Sequence, residues 1–208
     1  MKTTNIMIVG VGGQGTLLAS KLLGRLLLKR GYDVKVSEVH GMSQRGGSVV
    51  TYVRYGEKVY SPVVDKGEAD VIISFEMLEA ARWVEYLKKG GTIVTNTQEI
   101  NPMPVIIGAA EYPQNLAEKI AEKGINIEAF DALSLAEEAG TSKAVNLVLL
   151  GRISKSKLER KAMLFTVFYN GFLGVKWVDI DGDHAHFILV LLIYCVHLRE
   201  LFFARAAP

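Results

Sequence analysis

Only one cysteine, Cys195, occurs in 208 residues. No disulfide can therefore close within the chain, and an iron–sulfur cluster, which needs several cysteine ligands, cannot be held by it alone. A lone thiol fits a reducing compartment, and the expected location is cytoplasmic. Charge of one sign is equally scarce: 24 Lys and Arg against 22 Asp and Glu leave a formal net charge of +2, too little to imply nucleic-acid binding. Long apolar runs are missing as well. The nearest to one, FILVLLIYCV from Phe187 to Val196, falls short of the roughly 20 residues that cross a bilayer, so no membrane span is expected and a buried or subunit-facing helix is the better reading. Glycines break the first apolar run at once, which argues against a secretory leader. Half of the residues are apolar and 22% are charged, ordinary globular usage that excludes a disordered or fibrous class.

What is present alternates between strand and helix patterns. Asn5 to Val9 reads as a strand, and leucines 17, 18, 22, 26 and 27 follow at helical spacing. Gly31 closes that helix and Tyr32 to Val39 forms a second strand. VVTYVRYGEKVYSPVV, Val49 to Val64, reads as a hairpin turning at Gly56. Further strands are expected at Asp70 to Phe75, Gly91 to Thr95 and Ile125 to Phe130. Helices are expected at Glu76 to Lys89, Tyr112 to Lys123, Ala132 to Glu138 and Thr141 to Leu150, the last capped by Thr141 or Ser142. The pattern predicts an α/β fold: a Rossmann-like three-layer domain over residues 1–151, with a mostly parallel, mixed sheet and a β-hairpin insertion. Residues 152–208 differ in character, being rich in Phe, Tyr and aliphatic runs. They read as a divergent C-terminal tail with a basic helix at Ser154 to Phe168, a strand at Val175 to Ile180 and a hydrophobic last helix, packed on the same domain or on a partner.

Two loops carry the chemistry. Gly10, Gly12 and Gly15 match G-x-G-x-x-G between a strand and a helix, a setting in which glycines allow a sharp turn and close backbone approach while helix-start amides form an anion site. Gly13 and Gln14 open the loop further, and Thr16 offers a hydroxyl. The plainer alternative is that any tight turn from strand to helix favours glycine. Thr16 stands where a phosphate-loop nucleotidase needs Lys, which argues against that class. Glu38 is placed roughly where a ribose-binding carboxylate of an NAD enzyme belongs, so a free-standing NAD-binding dehydrogenase is a rival reading. No His, Tyr-Lys pair or Ser stands out as its hydride-transfer acid.

The second loop, EVHGMSQRGGS from Glu38 to Ser48, is polar and glycine-rich at the edge where open α/β sheets bind ligands. Arg45 can clamp a carboxylate or phosphate, Ser43 and Gln44 can donate or accept, and Gly46 and Gly47 permit close approach. A solvated turn before a hairpin is the bland alternative, and a structural subunit whose glycines serve only packing is a third reading.

Taken together, GVGGQGTLLASKLLG from Gly10 and EVHGMSQRGGSV from Glu38 resemble the gamma-type subunits of 2-oxoacid:ferredoxin oxidoreductases, most of all those of the indolepyruvate type. The likeness extends through SPVV, DVIISFEMLEAAR and NLVLLG to about Gly151. It implies an accessory chain in a hetero-oligomer that decarboxylates arylpyruvates. Thiamine diphosphate, Mg and the iron–sulfur clusters would sit on a cysteine-rich, thiamine-binding catalytic partner, coenzyme A would take up the acyl group as co-substrate, and ferredoxin would take the electrons. No cofactor is expected on this chain alone, and no catalytic acid, base or nucleophile is assigned to it. The acidic cluster DIDGDH, Asp179 to His184, lacks the pattern of a thiamine Mg site and the Gly and Glu of a calcium loop. His184, His186 and His197 have no carboxylate or Cys pair to complete a metal site, so none is expected. The tail also departs from the family pattern and receives no role by resemblance.

Overall fold

The computed structural model describes residues 3–38, 47–138 and 140–156. Its strands are β1 (Thr4–Val11), β2 (Asp33–Glu38), β3 (Ser48–Gly56), β4 (Ala69–Ser74), β5 (Leu87–Asn96) and β6 (Asn126–Phe130). Its helices are α1 (Thr16–Lys29), α2 (Met77–Arg82), α3 (Met103–Ile106), α4 (Leu116–Glu122), α5 (Ala132–Glu138) and α6 (Val145–Ser156). One sheet joins all six strands in the order β2-β3-β1-β4-β5-β6. Neighbours from β1 to β6 pair in parallel, whereas β3 is antiparallel to both β1 and β2, so β3 alone runs against the rest.

The period-2 alternation of β1 assigns its side chains to two cores. Ile6 and Ile8 point into one with Leu23 and Leu27 of α1, Ile73 of β4 and Leu149 and Ile153 of α6. Met7 and Val9 point into the other with Ile72, Ala80 of α2, Ile93 of β5 and Ile120 of α4. The result is the expected three layers, helix, sheet and helix. Full burial of an isoleucine such as Ile8 stabilises the fold by about 2–3 kcal/mol, so the central strands anchor everything placed at their ends.

Three expectations need correction in detail. The hairpin exists, but its arms are β2 and β3 rather than the two halves of Val49–Val64. After Gly56 the chain leaves the ladder. Pro62 lacks a backbone donor, Tyr60 is 85% exposed, and the Arg54 guanidinium donates to the carbonyls of Ser61 (3.2 Å) and Val63 (2.7 Å) in place of a strand partner. The helix expected at Glu76–Lys89 ends at Arg82, followed by a 3-10 turn at Val84–Tyr86. From Leu87 the chain is already β5, and the Gly90–Gly91 pair sits in an irregularity of that strand instead of preceding it. The helix expected from Tyr112 begins only at Leu116. The Thr141 cap is as expected: its hydroxyl accepts from the Lys143 amide at 3.3 Å. The last described helix runs through Gly151 to Ser156. The tail elements expected beyond it lie outside the described residues. Among the described residues, no helix is long and apolar enough to cross a membrane.

Candidate functional site at the carboxyl edge of the sheet

Five strands end at one rim, and the reversed strand β3 begins there. The register pairs Val11, the last residue of β1, with Ser48, the first of β3. One residue further on, the Gly12 amide donates to the Gly47 carbonyl at 2.9 Å. The glycine turn and the end of the second loop therefore share a root. Ser43, Gln44, Arg45 and Gly46 lie outside the described residues, so of that loop's expected site residues only Gly47 is placed.

Each glycine of the turn has its own reason. A Cβ on Gly10 would fall 3.0 Å from Phe75 Cβ and 2.9 Å from Gln14 Oε1, so this position is dictated by internal packing. Gly12 uses its amide on Gly47. Gly13 and Gly15 have φ of 102° and 91°, the left-handed region that favours glycine. Among the described residues nothing lies within 4 Å of the Cβ that Gly13 lacks. Gly15 caps α1 and Thr16, largely buried, is its first residue. At the start of this 14-residue helix the Leu18 amide is taken by the Gly15 carbonyl at 3.0 Å, and the helix dipole leaves the turn around Gly13 positively polarised.

Gln14 turns its side-chain amide inward, onto the turn itself and the strand ends. Its Oε1 accepts from the Val11 amide at 2.7 Å, and its Nε2 donates to the Phe75 carbonyl at 3.1 Å and to Gln98 Oε1 at 3.2 Å. The side chain ties the turn to the ends of β4 and β5. Asn96 continues the tie, donating to the Phe75 carbonyl at 3.4 Å and accepting from the Ala132 amide at 2.9 Å.

Beneath this rim lie two buried carboxylates that the sequence reading passed over. Glu76 is the N-cap of α2, and its Oε2 accepts from the Glu79 amide at 2.8 Å. Its Oε1 accepts from the Tyr112 hydroxyl at 2.5 Å and from the Ile100 amide at 3.0 Å. Burial, then the Glu76 carboxylate, hold the Tyr112 phenol far above its ordinary range. Glu79 accepts from Ser48 Oγ and, at 3.2 Å, from Trp83 Nε1, and it pairs with Arg82 at 3.1 Å. Burial pushes its pKa up, against the opposing pull of the Ser48 hydrogen bond and of Arg82. Two glutamates three residues apart directly after an apolar strand were the available signal, since that spacing suits a capping arrangement.

Glu38 sits elsewhere than the NAD reading requires. In a dinucleotide fold the second strand lies beside the first; here β3 separates them, which moves Glu38 two strand spacings, about 10 Å, from β1. Its Oε1 accepts from Ser20 Oγ of α1 at 3.1 Å. Among the described residues no group of three or more His, Cys, Asp or Glu could hold a metal ion. Asp179–His184 and the late histidines lie outside the described residues.

Residues 5–167 match the model of the pyruvate ferredoxin/flavodoxin oxidoreductase family. The chain belongs to that family. Within it, the chain is 53% identical over 159 residues to the indolepyruvate oxidoreductase subunit IorB of Thermococcus kodakarensis, covering 75% of this chain and 79% of that protein. The fold resembles the keto/oxoacid ferredoxin oxidoreductase gamma subunit of Geobacter sulfurreducens, with a TM-score of 0.56, 19% identity and coverage of 81% of this chain and 86% of that one. It also resembles part of the 2-oxoglutarate:ferredoxin oxidoreductase of Magnetococcus marinus, with a TM-score of 0.55, 18% identity and coverage of 97% of this chain but 32% of that one. Family membership, together with the inserted β3, removes the support for a free-standing NAD dehydrogenase.

Proposed function

We propose that the chain is the accessory subunit of a thiamine-dependent 2-oxoacid:ferredoxin oxidoreductase acting on indolepyruvate or a related arylpyruvate. The products are an acyl-coenzyme A, carbon dioxide and reduced ferredoxin. The observation that carries the site assignment is the Gly12–Gly47 hydrogen bond, which roots both loops at one rim. The substrate class follows the 53% identical relative named for indolepyruvate.

Thiamine diphosphate with its Mg ion, and the iron–sulfur clusters, are assigned to a cysteine-rich catalytic partner; a chain whose one cysteine is Cys195 has no ligand set for a cluster. Support for an anionic, phosphate-bearing group at the rim, such as coenzyme A carries, comes from Gly13, which no described residue crowds, and from the start of α1 beside it. When bound, thiamine supplies the decarboxylation chemistry. This chain orients and encloses: Gly13, Gly15 and Thr16 receive the anion, Ser43, Gln44 and Arg45 make polar contacts, and Gly46 and Gly47 let the backbone approach. Gly10, Gly12 and Gln14 hold the turn in shape. The complex is a cytoplasmic hetero-oligomer that passes electrons to ferredoxin. Residues 1–151 make up most of its structural unit, α6 carries that unit on to Ser156 with Ile153 in the core, and the rest of 152–208 packs on it or on the partner.

Arg45→Ala and Gly13→Ala, each in the assembled complex, test this assignment. With partner binding unchanged, Arg45→Ala should raise KM for coenzyme A about tenfold or more, the loss of one charge-assisted contact, and Gly13→Ala should raise it by placing a methyl group where the backbone receives the ligand. Wild-type turnover and affinity in both variants would leave the two loops with a packing role only.

A further inference from the structure

Asn146 is a polar residue in an apolar place. It is the second residue of α6 and only 3% exposed, while Val145 and Leu149 on either side of it belong to the core shared with Leu23 of α1. A side-chain amide buried in such a setting costs free energy unless its oxygen and its nitrogen are both hydrogen-bonded.

Within the chain only the oxygen is. Oδ1 accepts from the Leu147 amide at 2.8 Å, whereas Nδ2, which carries two donors, bonds to none of the described residues. Nδ2 lies 3.5 Å from the place a Cβ on Gly15 would take. The first turn of α6 therefore aims a free donor at the residue that caps α1.

Thr16 repeats the pattern from the other helix. It is 8% exposed, and its methyl is turned inward, 3.2 Å from the Cβ position of Gly10. Its hydroxyl bonds to none of the described residues. No fully enclosed side-chain nitrogen or oxygen among those residues lacks a partner, so Asn146 Nδ2 and Thr16 Oγ1 both open onto accessible space. The amides of Gly15, Thr16 and Leu17 likewise take no acceptor among the described residues, and α1 adds the positive end of its dipole.

Donors from two helices thus meet at one glycine, and what satisfies them is an oxyanion. A carboxylate offers two oxygens. The three terminal oxygens of a phosphate match the three kinds of donor present: backbone amide, hydroxyl and side-chain amide. We infer that Asn146 Nδ2 and Thr16 Oγ1 are the side-chain donors of a phosphate site at Gly15. This rests on the proposed function above, in which the glycine turn receives a phosphate group of coenzyme A, and it adds Asn146, 131 residues further along the chain than Gly15, to the groups that hold it.

Two measurements test the site. Calorimetry gives the Kd of coenzyme A for the assembled complex without 2-oxo acid, and amide spectra of the labelled full-length chain follow the Gly15 signal as inorganic phosphate is added. Asn146→Asp keeps the oxygen that accepts from Leu147 but replaces the donor with a repelling charge, and Thr16→Val removes the hydroxyl at similar volume. The Kd should weaken about 100-fold in the first and about tenfold in the second, with Thr16→Ser close to wild type. The Gly15 signal should move with phosphate in wild type and stay in place in both variants. If Asn146→Asp lowers the melting temperature sharply, the contrast of Thr16→Val with Thr16→Ser decides.

Wild-type Kd and a wild-type phosphate response in the folded variants overturn the inference; Arg45→Ala weakening the Kd in the same assay then leaves the proposed function standing. A phosphate response lost in the variants with an unchanged coenzyme A Kd overturns coenzyme A as the source of the phosphate. A catalytic partner that binds coenzyme A equally well without this chain overturns the proposed function, and the phosphate titration then decides the site by itself.

Discussion

Ser48 Oγ donates its hydrogen bond to Glu79, a carboxylate only 4% exposed. The first residue of β3 is thereby fastened to the first turns of α2 across the sheet's carboxyl edge. The end of the second loop is set by this contact and by the Gly12–Gly47 bond together, so the rim has the same rigid footing as the core beneath it.

Removing the acceptor should therefore matter more than removing the charge. Glu79→Ala leaves Ser48 Oγ and Trp83 Nε1 without their acceptor and should cost about 1–3 kcal/mol in chemical denaturation, whereas Glu79→Gln retains an acceptor oxygen and should cost less. The pH dependence has a definite sign. Burial raises the folded pKa of Glu79 above its ordinary 4.5, so between those two values the folded chain keeps a proton that the unfolded chain has lost. The stabilisation is full below the ordinary value and is lost as pH rises through the folded pKa. Melting curves across that interval should show the decline in wild type and a flatter profile in Glu79→Gln; parallel profiles would contradict the assignment.

Gly10→Ala and Gly13→Ala should separate packing from access. At Gly10 the added methyl meets Phe75 Cβ, a backbone-fixed neighbour, and the overpacking should cost about 1–3 kcal/mol in denaturant titrations. At Gly13 no described residue crowds the added methyl but the backbone is left-handed, so the stability cost should be about 1–2 kcal/mol, with the larger effect on ligand affinity of the complex. Equal stability losses combined with equal affinity losses would remove the distinction.

Gln14→Glu tests the tie between the turn and strands β4 and β5. The substitution puts an acceptor where Nε2 now donates to the Phe75 carbonyl and Gln98 Oε1. A destabilisation of about 1–3 kcal/mol is expected, measurable by thermal melting, and it should exceed that of an exposed substitution such as Lys21→Gln. A neutral result would mean that these hydrogen bonds do not hold the rim.

Tyr112→Phe removes the donor to Glu76 Oε1 and the acceptor of the Leu78 amide at 3.1 Å. The expected cost is about 1–3 kcal/mol. Because Tyr112 supplies one fastening of the 101–110 turn, hydrogen exchange at Ile106–Ala110 should quicken in the variant. Unchanged exchange there would show that the turn is held by its own backbone bonds alone.

The βαβ opening was legible because glycine spacing and leucine periodicity are local signals, and both loops were expected on one edge for the same reason. The place of β3 was not legible. Its insertion between β1 and β2 depends on pairings such as Val11 with Ser48 and Glu38 with Thr51, which local propensity does not encode. That one insertion also explains why the spacing of Glu38 suggested a ribose ligand that the fold does not provide. The helix expected at Glu76–Lys89 had suitable periodicity, but parallel pairing of β5 with β4 begins at Leu87 and claims its last turn for the sheet. Glu76 and Glu79 escaped notice because their burial comes from partners far along the chain: Tyr112 lies 36 residues beyond Glu76, and Ser48 lies 31 before Glu79.

The most direct test of the central claim is turnover of an arylpyruvate with coenzyme A and ferredoxin by this chain alone, by the catalytic partner alone, and by the two reconstituted. The account predicts no turnover by the isolated chain and full activity only on mixing. Turnover by the isolated chain, or a partner whose rate and affinity for coenzyme A do not change when this chain is added, would contradict it.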